Sequence, residues 1–256
     1  MGVQAIKSDT AVDAASAARI DLAAAHRLAV LHELDEAIDN HFTVTLPGHT
    51  DCYLGLPYGL HWSEATASNL IVFGADGKTI DGLGEAELST VCIHEPIHRL
   101  CGAPVVLHTH QTWSLALNML KDNRLVPTSQ SAAFFHGRVA YDDHYEGTAD
   151  YPSEGERLAP FIEGKVHTVF LKNHGVLVVG DTVAQAYRRL YMLERVCRAQ
   201  VIAMSTGQEL APLAQSVIDQ VQTPVSHDSH TRAQREQLFF DAMKRLLDRE
   251  MPGYDS

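Results

Sequence analysis

Ile93-His94-Glu95-Pro96-Ile97-His98-Arg99 is followed, after a short break, by Val105-Val106-Leu107-His108-Thr109-His110. The second stretch reads as an apolar strand that ends on two histidines. Side chains two apart on a strand point to the same face, so His108 and His110 aim two imidazoles at one point. The first stretch reads as a helix over 88–101 that carries His94 and His98 on one face, four residues apart. Further on, Leu171-Lys172-Asn173-His174-Gly175 closes another apolar strand over 167–172, and His174 can complete a three-nitrogen metal site. A site of three neutral imidazoles leaves positions open for water or substrate, as a catalytic metal requires. It admits Zn²⁺, Mn²⁺ or Fe²⁺ without choosing among them.

Working outward, residues 14–38 are rich in Ala and Leu, with Ile20, Leu22, Ala25, Leu28, Leu31 and Leu34 at helical spacing, and predict one long helix. Residues 1–13 are expected to form a flexible tail. Short strands are expected over 41–46, 51–56 and 69–73, followed by the Ala75-Asp76-Gly77-Lys78 turn. After the strand at 104–110, Thr112 is expected to cap a helix to 120. Residues 153–162 read as a helix and 176–179 as a strand. Thr182 opens a long helix that ends near Gly207. Residues 212–232 read as a linker, and 232–247 as a closing helix. Strands mixed with long helices and no regular βαβ rhythm indicate an α+β fold. The domain division that follows is a tail (1–13), a catalytic domain (14–210), and a C-terminal linker with a closing helix packed on that domain (211–256).

The chain has 256 residues, 45% hydrophobic and 20% charged, with a net charge of -12. That composition suits a globular enzyme with a sizeable core. The acidic balance, without a Lys/Arg cluster in the sequence, argues against nucleic acid and anionic membrane as partners and favours a small-molecule substrate. Four scattered cysteines without a CxxC pair predict reduced thiols. No basic-then-apolar leader is seen, and no apolar run reaches the roughly 18–20 residues of a membrane span. A cytoplasmic location is the expectation.

The two histidine stretches, together with Pro57-Tyr58-Gly59-Leu60, Thr66-Ala67-Ser68, Gly137-Arg138-Val139-Ala140-Tyr141, Tyr145-Glu146-Gly147, Lys172-Asn173-His174-Gly175 and Tyr191-Met192-Leu193-Glu194-Arg195, resemble the class II aldolase/adducin family. Leu246-Leu247-Asp248-Arg249 and Pro252-Gly253-Tyr254 look like the tail of its adducin-like bacterial branch. The resemblance implies a three-layer α/β/α sandwich with a mainly antiparallel central sheet. It also implies a homotetramer with active sites near subunit boundaries, and one divalent metal ion per subunit held by His108, His110 and His174. Such a metal withdraws electrons from a substrate oxygen and stabilises an enolate-like carbanion, which serves aldol cleavage and decarboxylation alike.

Two departures from the family pattern matter. Sugar-phosphate aldolases carry an acid/base glutamate on the helix before the HxH pair, and alignment on His94 puts Thr90 there. Glu95 is therefore a candidate proton carrier, with His94 and His98 as alternatives. The phosphate cradle of those aldolases is also replaced, here by His41-Phe42-Thr43 and Tyr58-Gly59. Larger groups stand where small donors are needed, so the substrate is expected to be a non-phosphorylated oxo- or hydroxy-acid, aromatic acids included. His41 and Tyr58 are candidates for contacting it. Tyr141, with His144 and Tyr145, is expected to reach the active site, or else to form an interface. Arg138 and Gln130 are candidates for orienting a carboxylate, Arg138 the better because guanidinium binds it bidentately.

The leading expectation is a metal-dependent lyase, aldolase or decarboxylase. The first alternative is a non-haem Fe²⁺ oxygenase of the kind that shortens prenylated hydroxyphenyl acids in aminocoumarin biosynthesis. The second is a non-catalytic assembly module like adducin itself.

Overall fold

The computed structural model describes residues 2–145, 147, 151–223 and 230–256. Glu146 of the expected Tyr-Glu-Gly motif and residues 224–229 of the expected linker lie outside them.

Eight strands form one sheet: β1 (His41–Thr45), β2 (Cys52–Gly55), β3 (Ile71–Gly74), β4 (Thr79–Asp81), β5 (Val105–Thr109), β6 (Val139–Asp142), β7 (Thr168–Leu171) and β8 (Gly175–Gly180). Their order is β4-β3-β2-β1-β5-β8-β7-β6. β6 pairs with β7 in parallel, Val139 opposite Thr168 and Asp142 opposite Leu171, while the other neighbours pair antiparallel. The sheet is therefore mixed, and the mainly antiparallel expectation is corrected at that edge. The reason is the connection. Residues 143–167, with a short helix α5 (Ser153–Leu158), supply the long crossover that parallel strands need.

Helices cover both faces. α1 (Gly2–Leu31), α3 (Thr112–Asn118), α6 (Val183–Ser205) and α8 (Arg232–Glu250) pack on one side, α2 (Leu88–Cys101) and α5 on the other. α4 (Gln130–Ala133) and α7 (Gln215–Gln222) pack together beside α6. The sheet residues alternate accordingly. Phe42, Leu107, Val176 and Val178 join Leu28, Leu190, Phe240 and Leu247 in the larger core. Val106, Val169, Leu177 and Val179 join Ile93, Ile97 and Leu158 in the smaller one. A central strand covered on both faces reads as continuous apolar sequence, which is why Val105–Leu107 shows no polar alternation.

Several boundaries differ from the expectation. α1 takes in residues 2–13, read from sequence as a tail, and stops at Leu31 rather than at 38. It ends because Glu33 turns left-handed (φ 58°) and Leu34 N–H reaches back to the Ala29 carbonyl at 2.9 Å, with Leu34 itself buried. This is the usual helix-ending motif with glutamate in the place of glycine, so no sequence signal marks it. α7 occupies part of the expected linker. α2 carries Pro96 within its span, which cannot donate to the Cys92 carbonyl. Gly155 of α5 lies against that turn, where a Cβ would fall 2.6 Å from the carbonyl oxygens of both Cys92 and Ile93.

The C-terminal segment returns to the same body. Arg27 donates to the Pro252 carbonyl at 2.5 Å, and Ala67 N–H to the Tyr254 carbonyl at 2.8 Å. Cys52, Cys92, Cys101 and Cys197 form no disulfide among the described residues. Among the described residues no helix is long and apolar enough to cross a membrane.

Candidate metal centre

His108 and His110 continue the Val106 face of β5, and His174 sits in the tight turn between β7 and β8. One ligand nitrogen from each of the three lies within 4.8 Å of the others. The three ring centroids are 4.8–4.9 Å apart. His108 Nδ1 faces the Val176 carbonyl at 3.0 Å, and His110 Nδ1 is hydrogen-bonded to the Glu36 carboxylate. Both partners only accept, so both Nδ1 atoms carry the proton. The two Nε2 atoms, 3.0 Å apart, are then both bare. Two lone pairs that face each other at this distance repel unless a cation lies between them, so the donor set fits a divalent metal held through Nε2. Burial pushes the His108 pKa well below its usual value, and burial with the neighbouring His110 takes His174 down to about 4. His108 and His174 therefore favour neutral, metal-binding imidazole.

The turn that carries His174 is built for close approach. Asn173 takes a left-handed conformation (φ 57°). A Cβ on Gly175 would fall 2.5 Å from the Thr109 carbonyl oxygen and 2.8 Å from His110 Cδ2. The buried Asn118 amide of α3 donates to the Leu171 and Gly175 carbonyls and pins both ends of the turn. α3 is itself fixed by the buried Glu194 of α6, which accepts from Trp113 N–H at 2.6 Å and Ser114 N–H at 2.9 Å. That carboxylate serves where Thr112 was expected to cap, and Gln111 is the N-cap residue. Glu194 thus acquires a physical role, and burial raises its pKa.

His94 and His98 do not join the metal set. They form a polar chain between α2 and β1. His98 Nδ1 lies 2.5 Å from the Ala103 carbonyl, which can only accept, so Nδ1 holds the proton and Nε2 is bare. Thr43 must then donate its single hydroxyl proton to His98 Nε2 at 2.7 Å. The Thr43 oxygen must accept from His94 Nδ1, also at 2.7 Å. His94 Nε2 is left bare and accepts from His41 Nδ1 at 2.8 Å. Neutral imidazoles are assured because burial lowers the pKa of all three, that of His98 to about 4. One backbone carbonyl therefore sets three tautomers, and His41 presents an unprotonated Nε2. Its ring stands 4.9 Å from that of His108.

Glu95 is directed elsewhere. It is buried and paired to Arg99 Nε at 2.9 Å, one turn along α2, and Arg99 also reaches Glu156. Besides Glu36, a second acid faces the histidines, Glu87 at the N-cap of α2. Burial raises its pKa, while Ser89 and His110 pull the other way. Glu87, Thr90, Asn40, His41 and Tyr58 line one cleft beside the histidine cluster. Asn40 accepts from His110 N–H at 3.2 Å, and its Nδ2 is buried without a partner. Sequence reasoning missed Glu36, Glu87 and Asn40. Only Glu87 left a trace, an acidic residue just before the helix on which the family glutamate is lacking.

The remaining candidates separate. Tyr145 is brought to the cluster, its ring 5.9 Å from that of His174. Tyr141 is not. It stacks on Phe170 toward the larger core, with Arg124 over its ring, and its hydroxyl accepts from Leu125 N–H at 2.8 Å. Gln130 is exposed at the start of α4. Arg138 precedes β6, where its carbonyl accepts from His167 N–H, at the end of β7 away from His174.

A family model described as the class II aldolase and adducin N-terminal domain matches residues 20–201. A Pseudomonas aeruginosa protein, named provisionally as an aldolase class 2 protein, is 33% identical over 92% of this chain and 91% of its own. A Streptomyces roseochromogenus protein named as a 4-hydroxy-3-prenylphenylpyruvate oxygenase and 4-hydroxy-3-prenylbenzoate synthase is 32% identical over 64% of this chain and 60% of its own. The crystal structure of an aldolase II superfamily protein from Pseudomonas syringae superposes with a TM-score of 0.85, at 35% identity, over 95% of this chain and 96% of the other. With its histidine cluster at the end of β5 and its α+β layers, the chain belongs to the class II aldolase and adducin family.

Proposed function

We propose that the protein is a metal-dependent lyase that breaks a C–C bond, by aldol-type cleavage or decarboxylation, in a non-phosphorylated oxo- or hydroxy-acid. The observation that carries this reading is the pair of bare Nε2 atoms on His108 and His110, fixed from behind by Val176 and Glu36. A divalent cation bound there would supply a Lewis acid that lowers the cost of negative charge developing on a substrate oxygen. Family membership supports the lyase class.

The protein's own groups do the rest. Glu87 holds or releases a proton at its carboxylate in the cleft, a role suited by a pKa raised toward working pH. The bare Nε2 of His41 accepts a hydrogen bond from a substrate hydroxyl or a water. The unpartnered Asn40 Nδ2 donates to a substrate oxygen in the same cleft. Glu95 has no part in the proton transfer. The cleft offers these single polar groups and an exposed tyrosine, Tyr58, rather than a ring of amides and hydroxyls. This arrangement favours a carboxylated substrate over a sugar phosphate. A cytoplasmic homotetramer is part of the same proposal, and sedimentation of the purified protein tests the assembly.

A second reading rests on the Streptomyces relative, whose name describes an oxygenase acting on an aromatic oxo-acid. Three imidazoles with open positions also suit Fe²⁺. Turnover of a panel of oxo- and hydroxy-acids by protein loaded in turn with Zn²⁺, Mn²⁺ and Fe²⁺, in air and under strict anaerobiosis, decides between them. The lyase predicts product without oxygen, and product only in air with Fe²⁺ favours the oxygenase. Efficient cleavage of L-fuculose 1-phosphate would overturn the substrate class.

A further inference from the structure

We propose that Arg138, Arg189 and Arg232 form an oxyanion site, separate from the histidine cluster, that takes a carboxylate or phosphate group. Arg138 enters β6, Arg189 lies on α6 and Arg232 opens α8. The three guanidinium groups are close enough to act on one another and on His167, the residue that enters β7. β7 runs from this end to the turn of His174. Its four residues, at about 3.3 Å each, put the arginines roughly 13 Å or more from the metal ligands.

Among the described residues the cluster is short of negative charge. Its one buried carboxylate, Glu236, is already occupied by Arg232 Nε at 3.1 Å and by the Gln185 amide at 3.0 Å. Asp181, a second acid near Arg189, is exposed. Arg188 adds further positive charge beside Glu236. In a chain of net charge -12 this is a marked local excess.

The donors are also unsatisfied. Nε of Arg138 and Nε of Arg189 are buried and have no hydrogen-bond partner among the described residues. Arg189 spends one terminal nitrogen on the Val179 carbonyl at 2.5 Å. Burial together with the surrounding like charge lowers the Arg189 pKa to about 10 and the His167 pKa to about 2. Buried polar groups are rarely left unpaired, and two charged ones in one place call for a counter-group. An oxyanion meets the need directly, because its oxygens accept from guanidinium forks two at a time. The Arg232 side chain, 51% exposed, leaves the site open to solvent on one side. The anion comes either from a small molecule or from an acidic side chain of a second copy of this chain.

The test uses inorganic phosphate, titrated into metal-loaded protein at constant ionic strength by calorimetry, with chloride as the matched control. A free-anion site predicts saturable binding of one phosphate per chain, weakened at least tenfold in Arg138→Gln and Arg232→Gln and unchanged in His110→Ala. If a second copy supplies the carboxylate, wild type binds no phosphate, but both arginine variants lower the mass in analytical ultracentrifugation. Arg232→Gln keeps the measurement open should Arg138→Gln fail to fold, because Arg232 is half exposed. Absence of phosphate binding together with unchanged mass in both variants would overturn the proposal.

Discussion

Thr43 gives its only hydroxyl proton to His98 Nε2 and receives one from His94 Nδ1, each at 2.7 Å, inside the layer between β1 and α2. No other side chain in that chain of bonds serves two imidazoles at once. Thr43→Val keeps the shape and strands a donor and an acceptor, each worth about 1–3 kcal/mol when buried and unpaired. The expected loss is about 2–6 kcal/mol. Thr45 also touches His98 Nδ1, at 3.1 Å, but that nitrogen already donates to Ala103. Thr45→Val should therefore cost under about 1 kcal/mol. Urea denaturation of both variants measures the difference, and equal shifts in midpoint would remove the relay.

Glu36 would act on a bound metal through His110. It is 57% exposed, so its removal leaves the core intact. Glu36→Ala frees the His110 Nδ1 proton to seek another partner and lets the ring turn. Loss of such a partner lowers metal affinity by about 10–100-fold. Competition with a chromophoric chelator gives the number. Affinity equal to wild type would show that the ring is held by packing alone.

Gly175 tests the geometry of the same centre from the backbone side. Gly175→Ala puts a methyl group 2.5 Å from the Thr109 carbonyl oxygen and 2.8 Å from the His110 ring. The β7–β8 turn must move, and His174 moves with it. The expected outcome is a normal circular dichroism spectrum with bound metal reduced at least tenfold. Full metal occupancy in a well-folded variant would mean that the ligands can re-form around the displaced turn.

How far the sequence reaches is clear from these residues. His108, His110 and His174 were legible because strand alternation and a strand-ending turn both leave a pattern in the chain. The helix over 88–101 was legible for the same reason. Glu36, Glu87 and Asn40 were not. Glu36 and Asn40 come from a loop whose path depends on the left-handed backbone at Glu33, Ala37 and Asn40, where no glycine marks the turn, and Glu87 comes from the cap of α2. The direction of Glu95 was also hidden. Its neighbour His94 faces the sheet, but pairing with Arg99 is a choice among partners that spacing cannot rank. Arg138 was drawn to the substrate by its chemistry and placed elsewhere by the parallel pairing of β6.

His26 offers a titration away from the metal ligands. It is buried between Phe42 and Trp62, and its Nδ1 is hydrogen-bonded to the Leu22 carbonyl of its own helix. Burial lowers its pKa from 6.5 to about 4. The unfolded chain thus binds a proton between these two values while the folded chain does not. Stability from this group is complete above about pH 6.5, falls as pH drops toward 4, and levels off below, for a total of up to about 3 kcal/mol. His26→Leu strands no side-chain partner. Its melting temperature should fall less steeply than that of wild type between pH 6.5 and 4. Parallel curves would show that His26 is protonated together with the native fold.

Glu87 and Glu95 divide the proton-transfer question cleanly. Glu87 stands in the cleft with a raised pKa, and Glu95 is held by Arg99. Glu87→Gln keeps size and hydrogen bonding but removes the proton that can be exchanged. A positioned acid or base contributes about 10²–10⁴-fold to rate, so kcat should fall by about that factor, with metal content unchanged. Glu95→Gln should leave kcat within about twofold of wild type and lose under about 1 kcal/mol of stability, the usual worth of a partly exposed ion pair. Steady-state kinetics on the acid that proves to be turned over, with metal analysis of each sample, gives both answers. A large loss in the Glu95 variant with no loss in the Glu87 variant would return the proton to α2 and require the helix to turn during catalysis.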